Sequence, residues 1–316
     1  RLDEACAHFG GHPADWLDLS TGINPNPWTG AETIRPDWRA LPDARALKRL
    51  EEAAAAHFET DPALCCAVPG SETGLRALGR ILGLPARPIA LTYGTYAKAF
   101  ASPPPDHAGP TALVVTNPNN PDGRLSLRED LMSALERQQH GGGWLIADEA
   151  FADCHPDASV ADLVANDRNL AVTRSFGKFF GLAGVRLGFV LAPEPLLADL
   201  RKLQGDWPVC SAALVFGNAA YTDRDWIAAT LASLPERGAK LDAVLARHGL
   251  RATGACPLFR LATAPDAADL FATLARAHIL TRPFAGYPHL LRFGLPADDA
   301  QLARLDAALA LWSARG

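Results

Sequence analysis

Short apolar runs alternate with segments of helical periodicity through the middle of the chain. Five runs rich in aliphatic and β-branched residues lie at residues 88–92, 111–116, 144–148, 170–173 and 187–191. Four segments with helical periodicity lie around and between them, at residues 72–82, 94–101, 126–139 and 157–165. Buried strands of parallel sheets are typically short apolar runs, and helices usually connect them. The pattern predicts an α/β fold, with a mostly parallel central sheet and helices on both faces.

The pattern changes toward both ends of the chain. A long segment rich in Ala, Leu and Arg runs from Trp226 to Gly249, and residues 302–312 form a closing amphipathic segment. The first 28 residues end in the turn-rich sequence STGINPNP. We therefore predict an N-terminal arm at residues 1–28, a large domain at 29–222 and a small α+β domain at 223–316.

Composition narrows the classes of partner. The 316 residues carry a net charge of −5 and no basic cluster, so we expect no nucleic-acid partner. The six cysteines show no metal-ligand spacing, which favours a cytoplasmic protein with reduced thiols and no metal site. No apolar run approaches the roughly 20 residues that a membrane span needs, so we expect no membrane partner.

Chemically suggestive residues follow the predicted strands. Tyr93 comes after the first apolar run and Asn120 after the second. Asp148 ends the third run, and Ser175 and Lys178 follow the fourth. Ligands of open α/β sheets bind at the carboxyl ends of the strands, so these five side chains are expected to face one crevice.

A further segment, PGSETGL, is a turn that opens a predicted helix. Gly70, Ser71 and Glu72 lie there, where unpaired backbone N–H groups and the helix dipole favour a phosphate. Arg186 would add a positive charge and a planar fork of donors. The crevice is therefore expected to hold an anionic ligand.

Pyridoxal phosphate requires this combination of groups. Its aldehyde needs a lysine, its ring nitrogen a carboxylate, and its phosphate fixed donors. Lys178 has no carboxylate near it in the run TRSFGKFFGLAGVRLGF, which suits a covalent anchor better than a surface lysine. Asp148 is the expected acid, and its neighbour Glu149 is the alternative.

Six motifs carry a resemblance to a known family. They are PGSETG (69–74), TYGTY (92–96), NPNNPDG (117–123), ADEAF (147–151), SFGKFFGLAGVRLG (175–188) and LRFG (291–294). In this order they resemble the fold-type I pyridoxal-phosphate enzymes of the class I and II aminotransferase superfamily. The similarity is greatest to the branch that holds histidinol-phosphate aminotransferases and threonine-phosphate decarboxylases.

The resemblance implies a role for each matching residue. Lys178 is similar to the lysine that binds the cofactor aldehyde, Asp148 to the partner of the ring nitrogen, and Asn120 to the residue that bonds the ring hydroxyl. Tyr93 resembles the aromatic residue stacked on the ring. The residues that resemble phosphate binders are Gly70, Ser71, Glu72, Ser175 and Arg186.

Three residues are candidates for the substrate contacts, although Arg282 could instead be a solvated surface arginine and Asn24 a turn residue. Arg292 resembles the arginine that binds the substrate carboxylate in a bidentate manner. Arg282 and Asn24, the latter in the N-terminal arm, are candidates for the substrate phosphate. The resemblance further implies a homodimer and a small phosphorylated amino acid as substrate.

Two positions depart from the family pattern. Phe151 stands where a tyrosine is usual, as it does in threonine-phosphate decarboxylases, and Gly177 stands where Ser or Thr is common. Phe151 and the sequence DLSTGINP (18–25) favour decarboxylation of L-threonine O-3-phosphate, in cobalamin biosynthesis. Transamination by a histidinol-phosphate aminotransferase or a related enzyme is the alternative, and a cofactor-free binding protein is a third.

Overall fold

The computed structural model describes residues 1–89 and 91–314. It divides into two compact units. The larger unit consists of Pro27–Asn120 and Leu125–Ala228, and the smaller of Arg1–Asn26, Pro121–Arg124 and the chain from Ala229 onward. The first 26 residues are thus grouped with the C-terminal part, whereas the domain boundaries that we placed at residues 28 and 222 stay a prediction.

The secondary structure is as follows, in chain order. The helices are α1 (Leu2–Phe9), α2 (Ala44–His57), α3 (Ser71–Leu82), α4 (Tyr96–Ala99), α5 (Arg128–His140), α6 (Phe176–Phe179), α7 (Glu194–Gln204), α8 (Ser211–Thr222), α9 (Arg224–Arg247), α10 (Ala267–Arg276) and α11 (Asp299–Ser313). The strands are β1 (Leu17–Asp18), β2 (Cys65–Val68), β3 (Ala86–Pro88), β4 (Ala112–Thr116), β5 (Trp144–Asp148), β6 (Leu170–Ser175), β7 (Gly188–Leu191), β8 (Arg251–Thr253), β9 (Phe259–Thr263), β10 (Ile279–Leu280), β11 (Arg282–Pro283) and β12 (Leu290–Gly294).

The larger unit contains a six-stranded sheet in the order β2-β7-β6-β5-β4-β3. Strands β3 to β6 are parallel, and β7 runs antiparallel to both of its neighbours. The register places Asp148 opposite Thr116 on one side and Thr173 on the other, so the carboxyl ends of three strands are level. The predicted α/β class with a mostly parallel sheet is confirmed.

Three local predictions differ from the structure. The first predicted strand, at residues 88–92, is found earlier as β3, and Ala90 lies outside the described residues. Strand β2 was not predicted. The helix expected at 157–165 is replaced by two short 3-10 helices, Pro156–Ala158 and Ala161–Leu163. The buried carboxylate of Glu149 explains this, because it accepts hydrogen bonds from the Val160 N–H at 2.7 Å and the Ser159 hydroxyl at 2.6 Å.

The smaller unit is an α+β structure. Its four-stranded antiparallel sheet has the order β11-β12-β9-β8, and β1 pairs with β10 in a separate parallel pair. The N-terminal segment packs closely on this sheet at Gly294, whose N–H donates to the Leu19 carbonyl at 2.7 Å. A Cβ at Gly294 would lie 2.4 Å from the Thr21 carbonyl oxygen, so only glycine fits this approach. No helix in the described part of the chain is both long and apolar enough to cross a membrane.

Candidate active site

A cleft of about 130 Å³ lies in the larger unit, where the parallel strands end. Twelve residues line it: Gly70, Ser71, Glu72, Tyr93, Thr116, Asn120, Asp148, Ala150, Phe151, Ser175, Lys178 and Arg186. All nine residues that we predicted to bind the cofactor are among them. The other three, at positions 116, 150 and 151, are neighbours of predicted residues in the sheet or the chain.

Lys178 is held by the aromatic residues that flank it. It lies in the single turn of α6, and Phe176, Phe179 and Phe180 around it are fully buried. Burial of each phenylalanine contributes about 1.5–3 kcal/mol, so the local packing is strong enough to fix a helix of only four residues. The half-buried lysine is thereby directed from a rigid segment into the cleft.

Gly177 has a steric reason to depart from the family pattern. A Cβ at this position would lie 2.5 Å from the Cα of Ala183, a distance that real contacts do not reach. Serine or threonine therefore cannot be accommodated without moving the loop that follows α6.

The amine of Lys178 faces the ring of Phe151. Its Nζ atom lies 5.8 Å from the centroid of the ring, within the range of a cation–π interaction. Phe151 is 3% exposed, so its ring forms a fixed apolar wall of the cleft. A phenylalanine at this position provides no hydroxyl group to the cleft.

Asp148 ends β5 and is almost fully buried. Its Oδ2 atom accepts a hydrogen bond from the Tyr96 hydroxyl at 2.6 Å. Its Oδ1 atom accepts from the Thr173 hydroxyl at 3.0 Å and from the Ala150 N–H at 3.2 Å. Burial raises the pKa of Asp148, while these three donors and the positive charge of Lys178 oppose the rise. The carboxylate is thus held in one orientation.

Glu149, the alternative acid, directly follows β5, and its side chain is buried away from the cleft. Its carboxylate pairs with the guanidinium of Arg174 at 2.9 Å, and both side chains are buried. Glu149 is not among the residues that line the cleft. This arrangement favours Asp148 as the acid of the site.

The phosphate end of the cleft depends on two glycines. A Cβ at Gly70 would lie 2.6 Å from Nη2 of Arg186, and a Cβ at Gly188 would lie 2.4 Å from the backbone nitrogen of Ser71. Gly70 also has a φ of 89°, which suits glycine. The glycines therefore allow Arg186 and the first N–H groups of α3 to approach each other, which forms an anion site at a helix N-terminus.

The side chain of Glu72 is engaged within the protein, so the predicted phosphate role of this residue belongs to its backbone N–H. Its carboxylate accepts hydrogen bonds from Arg76 at 2.9 Å, from the Tyr93 hydroxyl at 3.3 Å and from the Thr95 hydroxyl at 3.4 Å. The hydrogen bond from Arg76 lowers the pKa of Glu72, so the side chain is an anion and would repel a phosphate. Only the backbone N–H of Glu72, in the first turn of α3, is suited to that role.

Tyr96, which was not among the predicted site residues, contacts Asp148 directly. It is 1% exposed and lies at the start of α4. The sequence signal for Tyr96 was the motif TYGTY, in which the second tyrosine lies three residues after the first. Thr116 and Thr173, which occupy the strand positions opposite Asp148, were also missed.

The predicted substrate residues belong to the smaller unit. Arg292 is 8% exposed, lies over the ring of Phe259 at 5.2 Å, and donates to the Ser20 carbonyl at 2.7 Å. Arg282 is exposed and lies directly opposite Arg292 across the β11–β12 pair. Asn24 is 2% exposed, and its side chain accepts a hydrogen bond from the N–H of Asn26 at 3.1 Å.

The donor set of the cleft fits pyridoxal phosphate. It combines an amine, a buried carboxylate, an aromatic ring, and a helix N-terminus beside an arginine. Each corresponds to one functional group of the cofactor. Within the described residues, no group of three or more His, Cys, Asp or Glu side chains could hold a metal ion.

Comparisons with known proteins agree with this chemistry. The family model for aminotransferase class I and II matches residues 80–309. A threonine-phosphate decarboxylase from Sinorhizobium sp. is 43% identical, over 98% of this chain and 96% of the relative. Another from Pseudomonas aeruginosa is 39% identical, with the same two shares covered.

The solved structures show the same fold. The histidinol-phosphate aminotransferase from Sinorhizobium meliloti, in complex with pyridoxal-5'-phosphate, superposes with a TM-score of 0.86 over 100% of this chain and 95% of that chain. At 18% identity this likeness shows the fold alone, which is the fold-type I architecture that we predicted. From the family model and the full-length relatives together, the chain belongs to the class I and II aminotransferase family, in the branch of the threonine-phosphate decarboxylases.

Proposed function

We propose that this protein is a pyridoxal-phosphate-dependent enzyme that decarboxylates L-threonine O-3-phosphate. The products are (R)-1-amino-2-propanol phosphate and carbon dioxide, and the reaction serves cobalamin biosynthesis. The observation that carries the proposal is the 43% identity with a threonine-phosphate decarboxylase over 98% of this chain. The cleft supports it with the residues that the cofactor needs.

Lys178 and Asp148 have the central roles in this mechanism. When bound, pyridoxal phosphate accepts the electron pair that remains at the substrate α-carbon after carbon dioxide leaves. Asp148 keeps the ring nitrogen protonated, because its fixed carboxylate is an anionic partner in a water-poor site. Lys178 would hold the cofactor covalently in the absence of substrate. Its Nζ, once free of the cofactor, would donate the proton that takes the place of the lost carboxylate at the α-carbon.

Phe151 supports the assignment of Lys178 as the proton donor. The ring that faces the lysine amine at 5.8 Å has no hydroxyl group with which to exchange a proton. No phenol at this position competes with the Lys178 amine as the proton donor. Arg186 and the N–H groups of Ser71 and Glu72 would hold the cofactor phosphate, with Ser175 beside them in the cleft, and Tyr93 and Asn120 would hold the ring.

The smaller unit offers a site for the two anionic ends of the substrate. Arg282 and Arg292 are direct cross-strand partners, so their side chains project from the same face of the sheet. Like charges in this arrangement repel each other, and the repulsion is relieved when anions bind between or beside them. We assign the substrate carboxylate to Arg292 and the substrate phosphate to Arg282, with Asn24 as a further contact.

The proposed function is tested by product analysis. L-threonine O-3-phosphate alone is expected to yield carbon dioxide and aminopropanol phosphate in equal amounts, with no keto acid required, over many turnovers. The control reaction contains histidinol phosphate and 2-oxoglutarate, and is expected to yield no glutamate. Dependence of turnover on 2-oxoglutarate would instead favour the aminotransferase alternative.

A second prediction concerns the substrate phosphate. Arg282→Ala is expected to raise KM for L-threonine O-3-phosphate by roughly ten- to a hundredfold, because a charge-assisted hydrogen bond contributes about 1.5–3 kcal/mol. The dissociation constant of the cofactor, measured by absorbance titration, should not change. Arg251→Ala is the matched control, since it removes an exposed arginine from β8 of the same sheet. Equal KM values for the two variants would contradict the assignment.

We also propose that the protein is a cytoplasmic homodimer. Large apolar side chains are exposed in the larger unit, with Trp38 at 72%, Leu41 at 67% and Trp207 at 56% exposure. A hydrogen bond from the Ser211 hydroxyl to the Ala40 carbonyl, at 3.2 Å, joins the loop that carries the first two to the start of α8. Exposed apolar patches of this kind mark protein–protein contacts. No two of the six cysteines, all of which are described, form a disulfide, which fits a reducing compartment.

A further inference from the structure

A chain of hydroxyl groups leads away from Asp148 into the larger unit. The Tyr96 hydroxyl lies 2.6 Å from Oδ2 of Asp148 and 2.6 Å from the hydroxyl of Thr116. The Thr116 hydroxyl lies 3.0 Å from that of Thr92, which in turn donates to Oδ1 of Asn119 at 3.0 Å. The chain of contacts thus connects the acid of the site to a side-chain amide.

The orientation of the amide at the far end is fixed. Nδ2 of Asn119 donates to the Leu91 carbonyl at 3.0 Å. The other side of the amide, which faces Thr92, is therefore the oxygen and can only accept. For this reason the proton of the Thr92 hydroxyl points toward Asn119 when that contact is a hydrogen bond.

The number of available protons makes the direction of these hydrogen bonds depend on whether Asp148 is protonated. Four contacts connect the carboxyl of Asp148, the three hydroxyls and the Asn119 oxygen, and each contact needs one proton. The three hydroxyls supply three protons. When Asp148 is protonated its own proton supplies the fourth, and every group donates in the direction of Asn119. When Asp148 is ionised Tyr96 donates to it instead, and one contact beyond Thr116 has no proton.

We propose that Tyr96 is a positioning residue for Asp148, and that the hydroxyl chain of Tyr96, Thr116 and Thr92 reverses its direction with the protonation state of that carboxyl. Tyr96 donates to the ionised form, which is the form that holds the ring-nitrogen proton of the cofactor. Thr92 acts in the opposite sense: when Asp148 is ionised and Thr116 donates to Tyr96, the single proton of Thr92 serves only one of its contacts with Thr116 and Asn119, whereas both are complete when Asp148 is neutral. This inference rests on the proposed cofactor but not on the proposed substrate.

Loss of a hydroxyl at the two ends of the chain is therefore expected to affect the cofactor differently. Tyr96→Phe removes the donor to the carboxylate and shifts the shared proton from the ring nitrogen toward Asp148. Thr92→Val removes a hydroxyl at nearly constant volume. The remaining two hydroxyl protons then match the two remaining contacts, from Thr116 to Tyr96 and from Tyr96 to ionised Asp148.

The experiment measures the holoenzyme without substrate, so its outcome is separate from that of the decarboxylation assay. Each variant is loaded with pyridoxal phosphate labelled with 15N at the ring nitrogen, whose chemical shift reports the position of the proton. The dissociation constant of the cofactor is measured by absorbance titration. For Tyr96→Phe we expect a shift toward unprotonated pyridine and a roughly tenfold weaker cofactor affinity, which corresponds to about one pKa unit. For Thr92→Val we expect the wild-type chemical shift and a dissociation constant no higher than that of the wild type.

Tyr221→Phe is the matched control for loss of a buried phenol. Tyr221 is 1% exposed, and its hydroxyl makes no hydrogen bond among the described residues. This variant should match the wild type in both measurements. Wild-type values for Tyr96→Phe, or a weakened cofactor affinity for Thr92→Val, would overturn the proposal. If Tyr96→Phe does not fold, as judged by its thermal unfolding, the Thr92→Val result decides alone.

Discussion

Lys178→Ala is expected to reduce turnover of L-threonine O-3-phosphate by at least about a thousandfold, because the variant loses both the covalent anchor and the proton donor. Lys178 is the one lysine among the residues that line the cleft. The fold should be retained, since the packing around α6 comes from the three buried phenylalanines and not from the lysine. The measurements are the decarboxylation rate and the thermal unfolding temperature of the two proteins.

The covalent attachment can be located directly. Borohydride reduction of the wild-type holoenzyme, followed by proteolysis and mass spectrometry, should place the cofactor mass on the peptide that contains Lys178. Lys98→Ala is a matched control, since Lys98 is an exposed lysine of the same unit. It should keep wild-type activity and the same labelled peptide. Cofactor mass on a peptide with any other lysine would contradict the assignment.

The residues that line the cleft could be predicted from the sequence for a simple geometric reason. Residues that follow parallel strands meet at one edge of the sheet, so Tyr93, Asn120, Asp148 and Lys178 could be grouped from the sequence. The register of the strands was not needed for this grouping, because Asp148 is the last residue of β5 and the other three lie in the loops or the short helix that follow β3, β4 and β6. The family motifs then added the identity of the ligand.

Side-chain direction was less predictable. Glu72 lies four residues before Arg76, and such pairs attract each other on a helix, so the sequence did contain a sign that its carboxylate is engaged. The motif TYGTY drew attention to Tyr96, but it could not show that the Tyr96 hydroxyl contacts Asp148 across 52 positions of the chain. Only the fold brings α4 beside the end of β5.

The register of the strands in the smaller sheet also could not be predicted from the sequence. Nothing in the spacing of Arg282 and Arg292 shows that they are cross-strand partners, since the turn between them is long and irregular. The wrongly predicted helix at residues 157–165 also reflects contacts that the local sequence does not show. Glu149, a distant and buried carboxylate, binds the backbone of that segment and overrides its local helical preference.

The second large effect is expected from Asp148→Asn, which should lower kcat by roughly ten- to a thousandfold. A nearby carboxylate typically raises the pKa of a positively charged group by about one to three units. The neutral amide of asparagine would not raise the pKa of the ring nitrogen in this way. The ring nitrogen of the cofactor would then lose its proton, and the site would lose its capacity to accept the electron pair of the broken bond. The measurements are kcat and the 15N chemical shift of the labelled ring nitrogen.

The folded state should tolerate the same change, and the hydrogen bonds of the site give the reason. The amide oxygen of asparagine can accept from Thr173 and the Ala150 N–H, as Oδ1 of Asp148 does. Its Nδ2 group can then donate to Tyr96, which completes the hydroxyl chain in the direction expected for a protonated Asp148. Because burial raises the pKa of the native carboxyl, the variant also avoids the cost of a buried charge. We therefore expect an unfolding temperature equal to or above that of the wild type, which would show that the lost activity does not come from misfolding. A near-normal kcat in this folded variant would contradict the role of Asp148 in the mechanism.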